Sequence, residues 1–100
     1  MKAKTKAKVA TVELPAHLDL TASAPLYERL LALRGEAVGI DASKVESLGG
    51  QCLQVLLSAV VTWKADAVPL QFNNASAGFE GGLRLLGLSL DSLLDKEIAR

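Results

Sequence analysis

One hundred residues make a single domain. Half of them are hydrophobic and 22% are charged, so the chain can bury a core and does not have the composition of a disordered segment. Eleven basic and eleven acidic residues cancel to a net charge of zero, which argues against nucleic acid as a partner, because that needs a clustered basic face.

The core must be built from Leu, Val and Ala, because the aromatic side chains are only Tyr27, Trp63, Phe72 and Phe79. Cys52 is alone and can form neither an intramolecular disulfide nor a zinc site, which fits a reducing compartment. The N-terminus lacks the continuous apolar run of a secretory signal, and no apolar run approaches the length of a membrane span. The expectation is a cytoplasmic protein with no direct membrane insertion.

Lys2, Lys4, Lys6 and Lys8 alternate with small residues, so residues 1–7 read as a flexible basic arm ahead of a domain over 8–100. Such an arm is either a solvated terminus or a contact for a membrane surface or acidic partners. Lys8 to Leu14 alternates, with Ala10, Val12 and Leu14 on one face, and predicts a strand ended by Pro15. Leu18 to Leu20 reads as a brief second strand. Thr21 and Ser23 are N-cap candidates for a helix that tolerates Pro25 near its start. Its stripe is Leu26, Leu30 and Leu33, widened by Tyr27 and Leu31, and Gly35 closes it.

Ala37 to Asp41 is short and apolar and predicts a buried central strand. Ala42 to Leu48 reads as a connection. Gln51 to Ala65 repeats Leu53, Leu56, Leu57, Val60 and Val61 at helical spacing. Val68 to Phe72 is a further strand, and Ser76 then caps a helix carrying Phe79, Leu83 and Leu86. Gly78, Gly81 and Gly82 each weaken that helix by about 1 kcal/mol relative to Ala, which points to close backbone packing or a mobile element. Leu88 to Ile98 reads as a last short helix. Strands alternating with helices imply an α/β fold with a mainly parallel sheet.

The turn Gly49-Gly50-Gln51-Cys52 joins strand to helix, where small α/β domains present their working surfaces. Its glycines either bring amides close to an anion or supply the free φ of a tight turn. The phosphate-loop lysine is missing. Cys52 sits where a helix dipole would lower a thiol pKa, but no base is near it in sequence, and a small packed residue is the simpler reading. His17 is the single histidine and belongs to no legible nucleophile–base arrangement. Gln51 and Gln54 share a helix face, suited either to a protein contact or to a solvated edge. No catalytic residue, metal ligand set or cofactor motif is legible, which favours a binding module over an enzyme.

Asp41, Ser43, Val45 and Leu48, followed by Leu53, Leu56 and Leu57, resemble the STAS domain family, whose run is D-x-S-x-V-x-x-I-D-S-S-G-L-x-x-L-L. The close from Val68 to Gly87-Leu88 is similar too, so the resemblance covers about residues 8 to 95. It implies one small STAS-like domain, with a mixed, mainly parallel sheet of four to five strands and about four helices. It also implies a regulatory protein as partner: an anti-sigma factor, a histidine kinase or a chemotaxis component, the last suggested by the run from Leu48 to Ala59. Two alternatives remain open: the soluble subunit of a lipid-asymmetry ABC transporter bound to its ATPase, and an anion or nucleotide sensor.

The departure lies at the tip. The family's phosphoacceptor serine is replaced by Gly50, which has no hydroxyl, so the usual switch is absent, and Ser47 is the nearest substitute. The expected partner surface is Ser47, Gly49, Gly50, Gln51 and Gln54.

Overall fold

The computed structural model describes residues 9–94; the basic arm expected at 1–7 and the tail after Leu94 lie outside the described residues. Among the described residues nine elements follow one another: β1 (Ala10–Glu13), β2 (His17–Leu18), α1 (Leu20–Ala32), β3 (Val38–Asp41), β4 (Ser47–Leu48), α2 (Gly50–Ala65), β5 (Leu70–Asn73), α3 (Ala77–Leu85) and α4 (Leu90–Leu94). The five strands divide into two sheets, one ordered β1-β3-β5 and one pairing β2 with β4. Every pairing is parallel, so each returning connection is a crossover.

β3 is central, which is why Val38, Gly39 and Ile40 are all buried. β1 keeps the alternation read from sequence: Val12 and Leu14 face the core, Thr11 and Glu13 face solvent. β4 was hidden inside the expected connection Ala42 to Leu48. It is only two residues long, and its partner is the equally short β2. No periodicity accumulates over two residues.

α1 starts earlier than the hydroxyl caps suggested. Asp19 is the N-cap: its carboxylate accepts from the amide of Ala22 at 3.1 Å and from the hydroxyl of Thr21 at 2.8 Å. Leu20, read as strand, is the first helical residue. Pro25 therefore lies inside the helix rather than in its first turn. α1 and α3 both end ahead of a glycine in the left-handed region, Gly35 at φ 94° and Gly87 at φ 85°.

α1 and α2 pack side by side, and α2 also meets β5 and α4. Phe79 of α3 is fully buried and stacks on Phe72 of β5 with ring centroids 5.9 Å apart. Truncating such a ring costs about 3–5 kcal/mol. Trp63 is buried near the end of α2, and its indole N–H donates to the carbonyl of Glu36 at 2.7 Å, so the large apolar ring is buried without an orphaned donor.

α3 lies against β4 through its glycines. A Cβ on Gly78 would stand 2.6 Å from the carbonyl oxygens of both Val45 and Glu46, and one on Gly82 would stand 2.7 Å from Cβ of Leu48. Gly81 has nothing within 4 Å of that position. Two of the three glycines are thus explained by close packing, and the third is not. Ser76 fastens the same contact by donating to the carbonyl of Val45 at 2.6 Å while accepting from the amide of Phe79 at 3.0 Å.

Candidate functional site

The β4–α2 junction stands at the surface. Gly49, Gly50 and Gln51 are exposed, and Gly49 caps α2 with no side-chain hydrogen bond. The first amides of α2 consequently lack the cap that Asp19 gives α1 and Ser76 gives α3. The two glycines do not supply a free φ, since Gly49 sits at an ordinary φ of −96° and neither glycine has positive φ. Gly49 is instead confined by the carbonyl of Leu18, 3.2 Å from where its Cβ would lie. A Cβ on Gly50 would meet nothing within 4 Å, so the missing hydroxyl reflects no shortage of room.

From this junction a groove runs between α1 and α2. Its first part is lined by Ser23, Ala24, Gln51 and Gln54, and its second by Leu31, Arg34, Thr62 and Trp63. Tyr27, Val55 and Ser58 line both parts, so Tyr27 stands at the middle. Tyr27 is 53% exposed and Leu31 is 54% exposed. Their spacing read as part of the core stripe, but the stripe that buries is narrower: Leu26 and Leu30. Arg34 is the one charged side chain among the described lining residues, and Asp66 holds it through two bonds of 2.9 and 3.2 Å. That contact also holds the Asp66 carboxyl below the usual range. The groove is thus a partly aromatic surface whose one charge is paired with Asp66, edged by two primary amides, and it suits a protein contact.

Gln51 and Gln54 come together here with the Gly49–Gly50 turn. Ser47 belongs to a second group. His17 and Ser47 are register partners across β2 and β4, and Nδ1 of His17 lies 3.0 Å from Oγ of Ser47. The other ring nitrogen, Nε2, faces Oε1 of Glu46 at 3.8 Å. Separations of 30 residues between His17 and Ser47 hid this grouping from any local motif. The signal that could have found it is the pairing of the two shortest strands.

Cys52 is fully buried, and its thiol donates to the carbonyl of Asp19 at 3.3 Å. Burial, and then the nearby Asp19 charge, push the thiol pKa up, overriding the helix dipole expected to lower it. Cys52 is a packed residue. Asp41, the first residue of the sequence motif, serves the backbone: its carboxylate accepts from the amide of Ser43 at 2.9 Å. That bond, with help from the Ser43 side chain, draws its pKa down. Among the described residues no cluster of three or more His, Cys, Asp or Glu side chains could hold a metal ion, and no helix is long and apolar enough to cross a membrane.

No curated protein and no solved structure matches the chain. The family model described as "Mlab, STAS domain" does match, over residues 1–95. With the α/β fold and the motif from Asp41 to Leu57 in place, the chain belongs to the STAS domain family, whose members are in general non-catalytic interaction modules.

Proposed function

We propose that this chain is a docking module of bacterial signalling that binds a regulatory protein through the α1–α2 groove and the adjoining Gly49–Gln51 turn. The observation that carries the reading is Tyr27, half exposed at the middle of a neutral groove whose rim presents Gln51 and Gln54. An exposed aromatic ring with amide donors and acceptors around it is the composition of an interface anchor. The partner class is an anti-sigma factor, a histidine kinase or a chemotaxis component. Gly50 offers no hydroxyl, so docking is not switched by phosphate at the family position.

The test is capture of the partner by the full chain. Gln54→Arg places a charge on the rim, Gly50→Asp places one at the turn, and Tyr27→Ala removes the anchor. Each should abolish capture while the far-ultraviolet spectrum is preserved. Unchanged capture by all three variants removes the groove as the docking surface.

A second reading keeps this surface and changes the partner to the ATPase of a lipid-asymmetry ABC transporter. The description of the matching family model, which carries the name Mlab, favours it. Co-purification with an ATPase rather than with a kinase or anti-sigma factor decides between the two.

A further inference from the structure

Four residues of α1, Leu20, Ala24, Tyr27 and Leu31, follow one another at spacings of four, three and four. At about 100° per residue they fall within about 60° of one another around the helix axis. That is the rhythm of a seam along which one helix seats on another. All four are exposed, Leu20 to 66%. Among the described residues seven large hydrophobic side chains are exposed, and three of them stand on this one stripe. The stripe runs into the α1–α2 groove, which Ala24, Tyr27 and Leu31 help to line.

This stripe is complementary to itself. With α1 laid antiparallel on its own copy and the two-fold axis between Ala24 and Tyr27, Leu20 stands opposite Leu31 at both ends. Ala24 stands opposite Tyr27 in the middle, so a small residue makes room for each ring. A two-fold axis also brings charges near their own copies, so a face that docks on itself must hold no unpaired charge. Arg29 turns away to the carbonyl of Thr11 at 3.3 Å, and Arg34 is bound by Asp66. Glu28 flanks the stripe and meets Thr21 of the other copy rather than a second carboxylate.

We infer that the occupant of this face is a second copy of the chain, docked antiparallel through α1. The thirteen residues of α1 run about 20 Å, and two helix widths add about 20 Å across, a footprint of about 400 Å² on each copy. Stable complexes cover about 800 Å² on each partner, so this dimer is weak and reversible. The second copy covers Tyr27, so the dimer and the regulatory partner exclude each other. That exclusion rests on the docking reading above, whereas the dimer does not. Access to the groove is then set by the concentration of the chain, not by phosphate at the family position.

Sedimentation velocity of the full chain, from micromolar to millimolar, should show the mass rising from 10.5 kDa toward twice that value. Leu31→Asp changes an exposed position and should keep the far-ultraviolet spectrum. It should stay monomeric at every concentration, because it sets a carboxylate against Leu20 of the other copy. Leu85→Ala, exposed on α3 and off the stripe, should dimerise as wild type does. Disulfide trapping reads the register. Position 20 faces position 31 of the other copy, whereas the two copies of position 20 lie about 16 Å apart along the helix axis. That is too far for a disulfide. A mixture of Leu20→Cys and Leu31→Cys chains should therefore cross-link on mild oxidation and either chain alone should not, with the buried Cys52 out of reach. The cross-linked pair should fail to capture the partner that the reduced mixture captures. A monomeric wild type, a dimer indifferent to Leu31→Asp, or cross-linking of either chain alone as fast as of the mixture overturns the dimer. Capture by the cross-linked pair overturns the exclusion. Monomeric wild type with capture lost in Gln54→Arg leaves the docking reading standing without the dimer. A dimer dissolved by Leu31→Asp, beside capture unchanged in Tyr27→Ala, Gly50→Asp and Gln54→Arg, keeps the dimer and removes the docking reading.

Discussion

Replacing Gly78 and Gly81 by alanine, one at a time, separates helix propensity from packing within a single helix. Both residues lie in α3, three positions apart, and both substitutions gain about 1 kcal/mol of intrinsic helix stability. At Gly81 the new methyl meets nothing within 4 Å, so that gain stands. At Gly78 the methyl lies 2.6 Å from two carbonyl oxygens of the Val45–Glu46 backbone. Neither oxygen is the far end of a flexible side chain, so α3 must move away or the Val45–Glu46 segment ahead of β4 must shift. Overpacking costs about 1–3 kcal/mol where side chains can yield, and here the obstacle is backbone. A backbone obstacle puts the cost at the upper end of that range, and after the helix gain the net loss for Gly78→Ala is about 2 kcal/mol. For a chain of this size, 1 kcal/mol moves the melting temperature by about 4–8 °C. Thermal unfolding followed by circular dichroism should show Gly81→Ala melting higher than wild type and Gly78→Ala melting lower. Both variants moving in the same direction would mean that α3 does not rest on the Val45–Glu46 backbone through Gly78.

Four further outcomes are expected. Ser76→Ala removes an N-cap bond and a bond to Val45 at once, and should cost about 1–2 kcal/mol in denaturant unfolding. Asp19, Asp41 and Asp66 all have pKa values held below the usual 3.8: by the hydroxyl of Thr21, the amide of Ser43 and the guanidinium of Arg34, respectively. Carboxyls depressed in the folded state contribute stability that is present above that value and lost as pH falls through their lower folded values. The melting temperature should therefore hold steady on mild acidification and drop below the ordinary carboxylate range; a drop already present well above it would point to another group. Cys52 should resist alkylation by iodoacetamide in the native state and react once the chain is unfolded in guanidinium. Gly50→Ser should fold with stability within about 0.5 kcal/mol of wild type, because its side chain has open space and carries no buried polar group.

Long periodic stretches carried most of the fold. α2 shows its period over sixteen residues, and β3 shows its burial as an unbroken apolar run between two helices. Features that depend on partners far along the chain did not show. β4 exists because β2 pairs with it, and two residues hold no pattern of their own. Asp19 displaced Thr21 and Ser23 as the cap because the chain leaves β2 two residues earlier than the apolar count suggested. Tyr27 and Leu31 have the right spacing for the core stripe, yet α1 rests on α2 along a narrower line and leaves both in the groove.

The candidate site divides in the same way. Gln51 and Gln54 were legible as a shared helix face, and that face does edge the groove. Tyr27, the residue that gives the groove its anchor, was absorbed into the core by periodicity. The Ser47–His17–Glu46 group was illegible because it assembles only when two short strands pair. Gly50 lacks a hydroxyl by sequence alone, but its backbone takes no conformation reserved for glycine.

Docking through the α1–α2 groove is tested most directly by quantitative capture of the regulatory partner from the source cell. The bait is the full chain as wild type, Tyr27→Ala, Gln54→Arg and Leu85→Ala. A regulator captured by wild type should be retained by Leu85→Ala, whose side chain lies outside the groove, and reduced about tenfold or more by the other two. Full retention by Tyr27→Ala and Gln54→Arg, or loss with Leu85→Ala alone, would place the docking surface elsewhere on the domain.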